Sequence, residues 1–142
     1  MWTKAPAIPL RKNWSAKRKP IVAKSLGYEM AQIFNLAMVY TATTGTGTIT
    51  LGNAVPPFLT WAAAGAVDGD NVEYSINDNP NSEKGAGIYN SAGPTLSRLF
   101  IYNSTNGGNA INLSGNATVF CDPSAQNLGV ISTNQHAVYG GI

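Results

Sequence analysis

Along residues 41–121, short apolar bursts are cut at close intervals by Gly, Asn, Pro and Asp. Residues 39–43 and 46–51 are β-branched and alternating, with Ile49 and Leu51 on one face and Thr48 and Thr50 on the other. That pattern predicts two strands joined by a hairpin turn at Gly45-Thr46-Gly47. Pro56-Pro57 ends the second strand, and Phe58, Leu59 and Trp61 supply bulk before the small run Ala62-Ala63-Ala64-Gly65, read as a crossover or a closely packed strand edge. Asp68-Gly69-Asp70 is a tight-turn signature. After it Val72, Tyr74 and Ile76 alternate with Asn71, Glu73, Ser75 and Asn77, as in a strand buried on one face. Residues 85–89, 95–103, 110–113 and 117–121 complete the strands, and 99–102, apolar on both faces, reads as a central one. Turns recurring roughly every 8 to 12 residues are the rhythm of an all-β domain. The expectation is a small antiparallel β-sandwich or barrel-like module over 41–121.

The flanks are patterned differently. Residues 1–40 read as an extended N-terminal arm, because Pro6, Pro9 and Pro20 fix their own φ and push the preceding residues toward extended geometry. Within that arm Leu26, Met30, Ile33, Phe34 and Ala37 fall at helical intervals, which predicts a short amphipathic helix over 26–38 or a continuation of the arm. Residues 122–142 read as a C-terminal tail or a last strand, with scattered Leu128, Val130, Ile131, Val138 and Tyr139.

Composition sharpens this division. Charged residues make up 11% of the 142-residue chain, against roughly 25% in an average soluble protein, so the polar surface is built from amides, hydroxyls and backbone. The net charge of +2 hides an asymmetry: residues 1–28 hold seven basic and no acidic side chains, while 29–142 hold two basic and seven acidic. Such a split suits a basic arm that seeks an acidic surface, whether nucleic acid, a protein shell or another copy of the chain. The arm intersperses Lys4, Arg11, Lys12, Lys17, Arg18, Lys19 and Lys24 with Trp2, Trp14 and Ile21, which makes these residues the candidate partner-binding set. The apolar members serve as anchors for separate pockets, and pockets belong to a protein partner more than to a phosphate backbone. A nucleic-acid partner is therefore disfavoured.

Catalytic chemistry has little to work with. His136 is the single histidine and Cys121 the single cysteine, so neither a Ser-His-Asp set nor a Cys/His metal cluster assembles, and no metal, cofactor or enzymatic activity is expected. Cys121, in an alternating apolar stretch, reads as a small buried hydrophobe. The Asp68-Gly69-Asp70 turn lacks the ordered oxygen array of a calcium loop, and Gly45-Thr46-Gly47 lacks the third glycine and the following helix of a phosphate loop. Residues 1–10 carry no apolar run of a secretion signal, and no stretch reaches the roughly 18 apolar residues of a membrane span. The reading is a soluble chain.

The core segments carry a resemblance. Thr44-Gly-Thr-Gly-Thr-Ile-Thr-Leu51, the run 61–78, Glu83-Lys-Gly-Ala-Gly-Ile-Tyr89, Thr95-Leu-Ser-Arg98, Asn103-Ser-Thr-Asn-Gly-Gly108, Ile111-Asn-Leu-Ser-Gly115 and Ala117-Thr-Val-Phe120 together resemble a β-module of tailed-bacteriophage virion proteins. The resemblance implies a structural role without catalysis. In tail fibres such a module belongs to a longer fibrous chain, whereas a module standing behind a basic arm is closer to a capsid decoration, or cement, protein. The expectations are attachment to the major capsid protein through the arm, a homo-oligomer with a trimer favoured, and a place on the capsid exterior after assembly in the host cytoplasm. A tail-fibre or head-tail adaptor protein and a nucleic-acid-binding protein are the alternatives.

Overall fold

The computed structural model describes residues 3–4 and 30–129. The fold is all-β, as the alternation predicts. Nine strands follow one another among the described residues: β1 (Met38–Thr41), β2 (Thr44–Gly45), β3 (Ile49–Thr50), β4 (Asn71–Asp78), β5 (Asn81–Asn90), β6 (Thr95–Leu96), β7 (Phe100–Ser104), β8 (Leu113–Ser114) and β9 (Ala117–Phe120). The main sheet runs β1-β9-β4-β5-β6-β3, with β7 also paired to β5, and β2 and β8 make a separate two-stranded ladder. Every pairing between these strands is antiparallel.

The sheet curls into a half-barrel, and the segment after β3 bridges its two ends. Leu51 N donates to Pro94 O beside β6, Gly52 N donates to Tyr40 O on β1, and Tyr40 N donates to Asn53 O. Curling hides edges that a flat sheet would leave open. It also encloses the core, in which Val39, Ile49, Trp61, Tyr74, Tyr89 and Leu96 are almost fully buried. Trp61 and Tyr89 stack with ring centroids 6.2 Å apart.

The β4–β5 hairpin is the spine. Its register runs from Asn71↔Ile88 to Asp78↔Asn81, and β4 also pairs β9 through Ser75↔Phe120 and Asn77↔Thr118. Where β9 ends, the chain before β1 takes over: Gln32 N donates to Asn71 O and Glu73 N donates to Gln32 O, a parallel bridge to β4.

Several expectations are corrected. No helix forms over the described part of 26–38. Residues 30–38 run extended apart from a turn, and bridges to β4 and to Leu59 satisfy their backbone in place of helical bonds. Gly45-Thr46-Gly47 does not join two paired neighbours, since β2 pairs with β8 while β3 pairs with β6. Ala62-Ala63-Ala64-Gly65 is a helical turn, closed by Ala64 N to Thr60 O and Ala66 N to Trp61 O. The run 95–103 splits into β6 and β7. Residues 99–102 lie at an edge and not at the centre, with Leu99 55% and Phe100 62% exposed. The described part of the tail adds no strand; it forms a helical turn over 125–129.

Candidate functional site

Of the expected partner-binding set, Lys4 is exposed. Trp2, Arg11, Lys12, Trp14, Lys17, Arg18, Lys19, Ile21 and Lys24 lie outside the described residues. The site must therefore be built from the barrel itself, beginning with its charges.

Every acidic side chain among residues 30–129 is held in place by hydrogen bonds within the body. Glu83, pointing into the barrel, accepts from Arg98 Nε at 2.9 Å, from Tyr74 Oη at 2.8 Å and from Ile111 N at 2.9 Å, with a further ion pair to Arg98 Nη2. Arg98 Nη2 also donates to Ile111 O at 2.9 Å, so this pair ties β5 to the irregular run before β8. Both side chains are buried, and removing one partner of such a pair costs roughly 3–5 kcal/mol because the other charge is stranded. Burial works against the Arg98 charge, but the Glu83 hydrogen bonds and charge outweigh it and hold the guanidinium pKa above its ordinary value. Burial first, and the Glu83 charge second, push the Tyr74 hydroxyl pKa well above the ordinary tyrosine range.

The remaining acids act as staples for loops. Asp78 accepts from Ser114 N at 2.7 Å and from its hydroxyl. Asp70 accepts from Val67 N at 2.9 Å and Gln32 Nε2 at 3.0 Å, and Asp68 accepts from Ser91 N at 2.9 Å. Glu73 sits on the face of β4 that the alternation assigned to solvent, yet it is 1% exposed. The turn after β9 covers it: Ser124 donates through N at 2.7 Å and through Oγ at 2.5 Å. Asn127 Nδ2 in the same turn donates to Ala31 O, so the two ends of the described body meet.

The described body carries few charged side chains, with Glu83 and Arg98 buried, Asp68 exposed and Asp122 partly exposed. Its outer face carries an open trough of about 520 Å³ across β9, β4, β5 and β7. The pairing register lays the side chains out in two rows. Met38, Phe120, Ser75, Lys84 and Asn103 form one, each opposite the next on the neighbouring strand. Tyr40, Thr118, Asn77 and Ser82 form the second, continued by Thr105, whose hydroxyl accepts from Ser82 N at 3.1 Å. The one cation in the trough is neutralised locally: Lys84 Nζ donates to Asp122 Oδ1 at 2.7 Å and Asp122 O at 2.5 Å, and Ser75 Oγ donates to the same carboxylate. The surface therefore offers hydroxyls, amides and two aromatic rings, with no net charge.

None of these trough residues stands out in the linear sequence, where Asn77 reads as the end of a strand and Asn103 as a strand terminus. Only the register across five strands brings them together. A smaller cavity of about 160 Å³, lined by Leu51, Trp61, Tyr89 and Pro94 among others, lies against the core. Among the described residues no group of three or more His, Cys, Asp or Glu side chains could hold a metal ion, and no helix is long and apolar enough to cross a membrane. No protein-family profile, curated protein or solved structure matches the chain.

Proposed function

We propose that the chain is a structural virion protein, most simply a capsid decoration protein that holds to the major capsid protein through its basic arm and displays the β-barrel outward. The observation that carries this reading is the segregation of charge. Seven cations are concentrated in residues 1–28, whereas residues 30–129 carry six acidic and two basic side chains, of which Glu83 and Asp122 pair with Arg98 and Lys84. An acidic surface on another molecule is the proposed partner of the arm. The arm's Trp2, Trp14 and Ile21 suit pockets in a folded protein, and copies at equivalent positions, a trimer included, are the proposed arrangement.

Attachment to shells that contain no DNA tests the reading. Purified protein is expected to bind empty and full particles alike and to bind free duplex DNA weakly at physiological salt. Attachment that requires packaged DNA would replace the shell with nucleic acid as the partner, in which case affinity should fall steeply as salt rises.

A further inference from the structure

We infer that the two-row outer face of the barrel is a binding site for a neutral saccharide, a function separate from the arm and independent of the virion reading. Strands in a sheet lie about 4.8 Å apart and alternate residues on one strand about 6.6 Å apart. The rows therefore present polar groups and rings in a two-dimensional array broad enough to meet more than one sugar unit.

The groups are of the matching kind and are held ready. Asn77 is exposed and its amide makes no hydrogen bond within the described body, leaving two donors and an acceptor for the vicinal hydroxyls of a sugar. The Asn103 amide is oriented, since its Oδ1 accepts from Ser104 N at 2.9 Å, which turns Nδ2 outward as a donor. Lys84 Nζ is fixed by two bonds to Asp122 and keeps a third N–H. At the other end of the rows Phe120 is half-buried and Tyr40 is 47% exposed, so their rings offer a platform for the apolar C–H face that a pyranose presents opposite its hydroxyls. A trough of about 520 Å³ holds two or three sugar units' worth of contact.

Charge decides the class. A phosphate, sulfate or sialic acid would need an unpaired cation, and the single Lys84 is already matched by Asp122. A cationic ligand would need a free carboxylate, and the trough's one carboxylate is taken up by Lys84 and Ser75. A peptide strand would be drawn to unpaired backbone, which here lies at the outer edge of β7 and not along β4 and β5, whose edges are both occupied by neighbouring strands. Neutral hydroxyls remain as the complement.

The experiment uses the full chain on arrayed oligosaccharides, with neutral oligomers of glucose, galactose, mannose and N-acetylglucosamine beside sialylated and sulfated ones, followed by calorimetric titration with the oligomer bound best. Binding is expected to be confined to the neutral set. Asn77→Ala should weaken it about tenfold or more, as loss of several hydrogen bonds from one amide does, and Phe120→Ala at least as much. Asn112→Ala, exposed and away from the rows, should leave it unchanged. Because Phe120 also packs against its neighbours, Asn77→Ala, whose side chain touches little, decides the matter if Phe120→Ala fails to fold. Binding restricted to sialylated or sulfated glycans, no binding to any neutral oligomer, or an affinity unmoved by Asn77→Ala would each overturn the assignment.

Discussion

Cys121 illustrates how much of the barrel's behaviour resides in single side chains. It packs against the hydrophobic core, and burial above all pushes its thiol pKa from an ordinary value of 9.0 up to about 12, against the opposing pull of a backbone hydrogen bond at Phe34 and of the Lys84 charge. A pKa raised in the folded state means that the neutral thiol favours folding. Its contribution is complete below the unfolded value near 9.0 and is lost as pH climbs toward the folded value of about 12, at up to about 1.4 kcal/mol per pH unit. Tyr74 and Tyr102 are raised as well, the first by burial and Glu83, the second by burial and Glu73, so they extend the loss to higher pH. Urea midpoints should therefore be level through neutral pH and fall once the medium passes about pH 9, and Cys121→Ala should make the first part of that fall shallower. A midpoint that holds steady up to pH 11, or an unchanged slope in the variant, would contradict this. The position of Cys121 was legible because alternation places it at the end of an apolar strand. Glu73 and Glu83 were not, because alternation says which face a residue occupies and nothing of what lies over that face.

Among the elements, β5 shows why a strand can be read while its surroundings cannot. It pairs with β4 from Asn81 to Ile88, but on its other side it passes from β7 to β6, and the crossing chain lies directly on its glycines. A Cβ built on Gly87 would stand 1.6 Å from Ser97 O, and one on Gly85 would stand 2.3 Å from Phe100 O. The strand must lack side chains there. Gly87→Ala is expected to cost at least about 2 kcal/mol, because backbone must move to admit the methyl group. Gly47→Ala meets nothing within 4 Å and should change stability by under about 0.5 kcal/mol. Equal urea midpoints for the two variants would refute that account of β5.

The β4–β5 hairpin was legible from its period-two pattern and its turn residues. Residues 99–102 misled because an apolar run at an exposed edge looks the same, in one dimension, as one at the centre of a sheet. Helical spacing over 26–38 misled for a related reason: Gln32 finds its partners on β4, far away in sequence, and long-range bridges outcompete a weak local stripe.

At the scale of the whole molecule, a basic N-terminal sequence precedes a β-rich body. The barrel exposes a polar face on which Lys84 and Asp122 pair, and the two ends of the described body meet where Asn127 donates to Ala31. The sequence shows this division through its charge split alone. The trough could not be seen there, since it depends on strands brought together from 38–41, 71–78, 81–90, 100–104 and 117–120. The proposal of a decoration protein makes a quantitative demand that a tail or adaptor protein would not. Counting copies on purified particles, by quantitative mass spectrometry against the major capsid protein and by locating the density in reconstructed particles, tests it directly. The account predicts hundreds of copies in a regular array over the shell, as expected for a protein held at every equivalent site of a closed symmetric assembly. Tens of copies or fewer, density confined to the tail, or absence from purified particles would contradict it.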